Sequence, residues 1–229
     1  MSAIATNLQA IRDRIATAAT AAGRAPESVR LLAVSKTKPL AEVLTAATAG
    51  QRAFGENYVQ EGADKALATA GMNLEWHFIG PLQSNKTRLV AEHFSWVHSI
   101  DRLKIAERLS VQRPATLPPL QVCVQVNVSG EASKSGCAPE QALGLCRAIA
   151  ALPKLSLRGL MAIPEPADDP AAQRRPFRQL RDLYESIRAA GLPLDTLSMG
   201  MSHDLEAAIA EGATIVRIGT AIFGERNYS

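Results

Sequence analysis

A chain of 229 residues suggests one domain, or at most two small ones, and can bury a large core without a disulfide or metal staple. With 47% hydrophobic and 21% charged residues it is neither disordered nor collagen-like nor coiled coil. A net charge of +3 without a basic run, and only 4% aromatic residues, give no reason to expect a nucleic-acid surface. Cys123, Cys137 and Cys146 make an odd number without a CxxC, so a reducing compartment is expected rather than a disulfide framework. No apolar stretch approaches the length of a membrane span. Arg12, Asp13 and Arg14 stand where a signal peptide needs its apolar region, with a transit peptide the weaker alternative. The chain is expected to be cytoplasmic and complete.

Ile4, Leu8, Ile11 and Ile15 recur at helical spacing and predict a helix over 3–22, ending before Gly23. Eight short β-rich runs follow, at 31–36, 52–57, 76–80, 96–100, 120–129, 157–163, 196–200 and 214–220. Between them lie Ala-, Leu- and charge-rich stretches of helical period, for example 40–49, 102–109, 140–151 and 177–190. Pro-rich 114–119 and 164–170 read as loops, and Gln173-Arg174-Arg175 as a solvated helix start. Strands alternating with helices imply a parallel sheet. Eight units in this length predict an α/β fold, a single (β/α)8 TIM barrel spanning residues 1–229 with an extra N-terminal helix. A doubly wound open sheet is the alternative, but no glycine-rich dinucleotide fingerprint follows the first strand.

The working face of such a barrel lies at the C-terminal ends of its strands. There the sequence places Lys36, Asn57, His77, Ser99, Asn127, Ser198 with Ser202, and Arg217 with Thr220. An ammonium group ending an apolar strand is costly to bury unless paired or used, although a rim lysine that simply reaches water is the plain alternative. Barrel phosphate sites are commonly built after strands 7 and 8. Here those loops read Ser198-Met199-Gly200-Met201-Ser202 and Gly219-Thr220, and His203-Asp204 opens a helical stretch at 205–211. Ordinary turn glycines and caps would look similar singly; together they favour a phosphorylated ligand. A lysine beside a phosphate site suggests either an aldolase-like Schiff base with a sugar phosphate or an internal aldimine with pyridoxal 5′-phosphate (PLP).

The remaining ionisable residues say less. The four histidines do not fall at metal-ligand spacing, so no metal site is expected. Nothing in the sequence pairs Glu56 or Glu61 as an acid–base couple. Glu131 and Lys134, between Gly130 and Gly136, look like a mobile polar loop.

Several stretches resemble the pyridoxal phosphate homeostasis protein (YggS/PROSC) family: 32–39 (LAVSKTKP), 54–61 (FGENYVQE), 76–86 (WHFIGPLQSNK), 133–136 (SKSG), 158–164 (RGLMAIP), 197–202 (LSMGMS) and 216–226 (VRIGTAIFGER). They run in order from about residue 31 to the C-terminus. The resemblance implies a barrel like the N-terminal domain of alanine racemase, with PLP held as a Schiff base on Lys36. It implies Asn57 and Met161 near the ring, Ser198, Gly200, Gly219 and Thr220 on the phosphate, and Arg217 at the pyridine nitrogen. His203 stands where an acidic residue would also be familiar.

A protonated pyridine nitrogen makes the strongest electron sink, and a permanent cation such as Arg217 disfavours that proton. A racemase working with such an arginine needs two opposed bases, a lysine and typically a tyrosine from a second domain. No second domain is expected here, and nothing in the sequence positions Tyr58, Tyr184 or Tyr228. The expected function is therefore PLP homeostasis: binding, buffering and supply of PLP to apo-enzymes by a monomer with no dedicated reaction, no nucleic acid and no membrane. An amino-acid racemase-like enzyme is the alternative, and a sugar-phosphate aldolase barrel a third.

Overall fold

The computed structural model describes residues 2–130 and 135–225. Glu131, Ser133, Lys134, Arg226 and Tyr228 of the readings above lie outside them.

The chain opens with α1 (Ala3–Ala21), capped by Ser2, whose hydroxyl accepts from the Ala5 N–H at 3.2 Å. Eight strand–helix units follow. They are β1 (Arg30–Val34) and α2 (Leu40–Thr48), β2 (Ala53–Glu56) and α3 (Val59–Ala68), β3 (Glu75–Phe78) and α4 (Thr87–His93), then β4 (Trp96–Ile100) and α5 (Leu103–Gln112). The second half contains β5 (Leu120–Gln125) and α6 (Pro139–Ala150), β6 (Leu155–Met161) and α7 (Pro170–Ala189), β7 (Thr196–Ser198) and α8 (Leu205–Ala210), and β8 (Ile215–Ile218) with the single turn α9 (Thr220–Phe223). All strand pairs are parallel, and β1 pairs with β8 as well as β2, so the sheet closes into an eight-stranded barrel. The (β/α)8 expectation holds.

The N-terminal helix has a particular place in the ring. The unit after β8 is only four residues long and cannot cover the β8–β1 seam. Helix α1 fills that position, packed against α2, α8 and α9. Leu8, Ile11, Ile15 and Ala19 form its buried stripe. Burial of each Leu or Ile contributes about 2 kcal/mol.

Two expectations shift. Helix α7 begins seven residues before the predicted start and runs through Pro176, which forfeits one backbone hydrogen bond. The Asp169 cap to the Ala172 N–H at 2.7 Å, Pro170 in the first turn and the buried face of Phe177, Leu180, Tyr184 and Ile187 offset that loss. Arg174 is not simply solvated. With Arg178 and Arg181 it surrounds the buried carboxylate of Glu211.

Apolar residues fall into two layers. The large one lies between the sheet and the helices. Smaller clusters fill the barrel lumen: Leu32, Ala53, Ile79 and Ile215 on one side, Trp96, Cys123 and Met161 on the other. All three thiols are buried and unpaired, and burial pushes Cys137 and Cys146 up to about 11 and about 12. Strand β6 approaches β7 so closely that a Cβ on Gly159 would lie 1.7 Å from the Thr196 carbonyl oxygen. Gly159→Ala should therefore force the strands apart and cost roughly 3 kcal/mol, read as a lower urea midpoint with an unchanged slope.

Candidate functional site

A cleft of about 590 Å³ opens at the C-terminal ends of the strands. Its lining includes Lys36 after β1, Asn57 after β2, Arg217 on β8 and Gly219 and Thr220 at the start of α9. Five of the eight predicted ligand-binding residues thus meet in one place. Met201, Ser202 and His203 line it from the loop after β7, with Ile79 and Ile163 as apolar walls. Two other solvent-facing grooves, of about 480 and 550 Å³, lie on the helix ring and the opposite barrel face, and gather none of these groups.

Lys36 is half-buried on a segment fixed from several sides. The Ser35 N–H donates to the Gly55 carbonyl at 3.0 Å, and the Ser35 hydroxyl donates to Glu56 Oε1 at 2.6 Å. The Thr37 N–H donates to Glu61 Oε1 at 2.7 Å. Lys38 Nζ reaches the Phe223 and Glu225 carbonyls at 3.0 and 2.8 Å, tying the segment to the end of α9. Thr37 itself has φ of 63°, an unfavourable conformation for a β-branched residue that the surrounding bonds must hold.

At the centre of this clamp is Lys65. Its Nζ donates to the Ser35 carbonyl at 2.8 Å and to Glu56 Oε1 and Glu61 Oε1 at 2.7 Å each. Burial pushes the Glu56 carboxyl up, and Lys65 and Ser35 draw it partly back. Sequence reading left these carboxylates unassigned. The Glu61–Lys65 spacing of four on one helix was the available signal, but the strand residue Glu56 joins only through the fold.

Asn57 is held by backbone rather than by its amide. A Cβ at Gly80 would come within 2.3 Å of the Asn57 carbonyl oxygen, so only glycine lets the loop after β3 pass there. Asn57 Oδ1 is shielded from water and has no hydrogen-bond partner among the described residues.

Arg217 forms the buried floor. One guanidinium nitrogen donates to Ser198 Oγ at 2.8 Å and another to the Ala162 carbonyl at 2.9 Å. Burial lowers its pKa to about 10, which leaves it cationic at neutral pH. The other three predicted residues fall outside the cleft lining. The Ser198 side chain is fully buried and bonded to Arg217 and His98. Gly200, at φ of 95°, lets α8 approach, since a Cβ there would lie 2.5 Å from Ala208 Cβ. Met161 packs in the lumen against Trp96 and Cys123. None of the three lines the cleft: Ser198 and Met161 occupy inward strand positions one layer below the loops, and Gly200 backs onto α8. Asp204 Oδ1 accepts from the Met201 N–H at 2.6 Å, so one donor of the β7 loop is already used.

His77 and Ser99 do not lie at the rim either. His77 is enclosed in the lumen, bonded to Glu75 at 2.6 Å and to His98 at 2.8 Å. Ser99 is buried, and its hydroxyl has no hydrogen-bond partner among the described residues. Asn127 turns its amide oxygen to the Gly130 N–H at 3.1 Å.

The alanine racemase N-terminal domain family model matches residues 6–227. The pyridoxal phosphate homeostasis protein of Pseudomonas aeruginosa is 64% identical over 228 residues, covering 100% of this chain and 98% of that protein. Its namesake in Escherichia coli K12 is 57% identical over 234 residues, covering 100% and 99%. Among solved structures, PipY of Synechococcus elongatus PCC7942 with PLP bound matches with a TM-score of 0.84 at 37% identity, over 96% of this chain and 100% of that one. An alanine racemase from Corynebacterium glutamicum shares the fold alone, with a TM-score of 0.71 at 20% identity over 97% of this chain and 61% of that one. Fold and cleft thus define a barrel of the alanine racemase N-terminal class. Within that class the chain belongs to the pyridoxal phosphate homeostasis protein family.

Two outcomes are expected. Lys65→Met leaves the fully buried Glu56 without its cation and should cost about 3–5 kcal/mol in urea unfolding, while Lys65→Met with Glu56→Leu recovers much of that loss. His77 and His98 are both held below the ordinary histidine range, chiefly by burial. The unfolded chain therefore takes up protons first. Stability is full above about pH 6.5 and falls as pH drops below it, by up to about 1.4 kcal/mol per pH unit for each histidine. Urea midpoints between pH 7.5 and 5 test this.

Proposed function

We propose that this chain, over residues 1–229, is a single PLP-binding barrel that holds, buffers and supplies the cofactor without a dedicated reaction of its own. The residues present fit that cofactor. The cleft offers a primary amine at Lys36, an unsatisfied amide oxygen at Asn57, a cation on its floor and backbone N–H groups at the first turn of α9. Lys36 Nζ is the group for covalent attachment. Thr220 and Gly219, with Ser202 from the facing loop, would hold the phosphate. Ser198 and Gly200 act through what they position, the first Arg217 and the second the β7 loop. Met161 supports the floor from below. When bound, PLP supplies an electrophilic carbon and a ring that can accept electrons.

Arg217 is the observation that carries the non-enzymatic reading. A guanidinium only donates hydrogen bonds, and this one stays charged. Set at the ring nitrogen, it disfavours the proton that would make the ring a strong electron sink. Tyr184 spends its hydroxyl on the Leu194 carbonyl at 2.9 Å, far from any role as a second base, and the largely exposed Tyr58 does not line the cleft. The relatives' names agree, being those of homeostasis proteins. The buried, unpaired thiols suit a cytoplasmic setting, with apo forms of PLP enzymes as acceptors.

Purified protein loaded with PLP should be yellow, bleach with borohydride and then carry a pyridoxyl mass on the peptide containing Lys36. Lys36→Ala should lose that adduct and keep its fold. A colourless wild-type protein that takes up no added PLP would overturn the assignment. Incubated with alanine in deuterium oxide, the loaded protein should exchange the α-hydrogen no faster than free PLP. Exchange at enzymatic rates would instead establish the racemase-like alternative.

A further inference from the structure

A line of hydrogen bonds crosses the barrel lumen from the N-terminal face to the cleft. Arg30 pairs with Glu75 Oε1 at 2.8 Å at the N-terminal end of the sheet. Glu75 Oε1 lies 2.6 Å from His77 Nε2, His77 Nδ1 lies 2.8 Å from His98 Nε2, and His98 Nδ1 lies 2.7 Å from Ser198 Oγ. Ser198 Oγ in turn receives Arg217. The residues come from β1, β3, β4, β7 and β8, and only Glu75 and His77, two apart on β3, are close in sequence.

The two ends dictate the middle. Arg217 can only donate, so Ser198 Oγ accepts from it, and the hydroxyl hydrogen goes to His98 Nδ1, which the acceptor-only carboxylate of Glu75 at the other end sets as an acceptor when both imidazoles are neutral. His98 then carries its hydrogen on Nε2 and donates to His77 Nδ1. His77 likewise carries its hydrogen on Nε2 and donates to Glu75, a carboxylate that can only accept. Every bond points the same way, and both imidazoles are neutral with one tautomer each. Burial counteracts protonation of both histidines, while His77 and Arg30 bring the Glu75 carboxyl down to about 2 despite its own burial. Other groups around the line leave this direction intact. Trp96 stacks on His77 at 5.3 Å, Arg158 lies over Trp96 and is paired with Asp195, the Cys123 thiol is pushed up by burial, and Asp204 favours the charged form of Arg217.

We propose that Glu75, His77, His98 and Ser198 form a one-directional relay of positioning residues that orients Arg217 and couples the cleft to the N-terminal face of the barrel. The relay deepens the reading of the cleft as a PLP site and rests on it for its effect on the cofactor, though not for its existence. An apolar lumen would hold a guanidinium less well, because its donors would lack acceptors. The relay also makes Glu75, four hydrogen bonds from Arg217, part of the same electrostatic unit.

The test reads the histidines and the cofactor separately. Protein labelled with ¹⁵N-histidine, without PLP, should show both imidazoles neutral and protonated on Nε2 at pH 7. Glu75→Leu removes the terminal acceptor and should move the His98 hydrogen to Nδ1, since Ser198 then becomes its acceptor. Glu75→Gln keeps an acceptor and should keep the Nε2 tautomers, which preserves the test if the leucine variant does not fold. In PLP-loaded protein, Glu75→Gln should shift the pH midpoint of the visible band by roughly half a unit or more, a response to the lost charge that a purely structural role would not give. Ser198→Ala should move the same band, and Ser198→Thr should restore it. An Nδ1 tautomer of His98 in the wild type would overturn the relay. A band that ignores Glu75→Gln, in a wild type that does bind PLP, would overturn its coupling to the cleft. If the wild type takes up no PLP, the PLP reading of the cleft falls and the tautomers alone judge the relay.

Discussion

An ammonium group buried beside two carboxylates is expensive unless every partner is in place, and Lys65 has all of its partners in place. Its three acceptors come from the segment after β1, from β2 and from α3. Removing any one would leave charge stranded in the sheet–helix layer. The network therefore fixes the relative position of the first two strand–helix units. It also spans the segment that carries Lys36, whose neighbour Thr37 sits in a conformation it would not adopt alone. The segment bearing Lys36 is held still by a second lysine that does not line the cleft.

The floor is organised by a different rule. Most (β/α)8 lumens are filled by branched apolar side chains in layers. Here one half of the lumen follows that pattern, with Leu32, Ala53, Ile79 and Ile215, and the other half carries a polar line beside Trp96, Cys123 and Met161. The polar line serves Arg217. A guanidinium on the floor of a cleft requires acceptors beneath it, and those acceptors require partners of their own. The demand propagates down the barrel until Glu75 and Arg30 meet water.

Much of this was legible in the sequence, and the limits have physical reasons. The eight strands and the barrel were readable because each strand is a short apolar run closed by glycine, proline or a polar residue. Lys36, Asn57, Arg217, Gly219 and Thr220 were readable because the C-terminal ends of barrel strands share one face. Ser198 and Gly200 were placed with them by their position after β7 and Met161 by motif, yet on a strand one residue decides whether a side chain points into the lumen or into the cleft, and Gly200 has no side chain. Helix α7 was cut short because Pro176 argues locally against a helix that its buried face sustains. The Glu56–Lys65, His77–His98 and His98–Ser198 contacts were not legible, since their partners are brought together across strands or between a strand and a helix.

Helix α1 closes the seam between the first and last strands, and its partners lie at the far end of the chain. Asn7 Nδ2 donates to the Ile222 carbonyl across 215 residues, and Arg14 pairs with Glu206. The helix that precedes every strand is thus the one whose docking site is completed last. The part of its surface that faces α8 and α9 must wait until they have been synthesised. Barrel closure is then a single event of very high contact order at the end of folding, the kind of step that is slow and exposes hydrophobic surface to aggregation meanwhile.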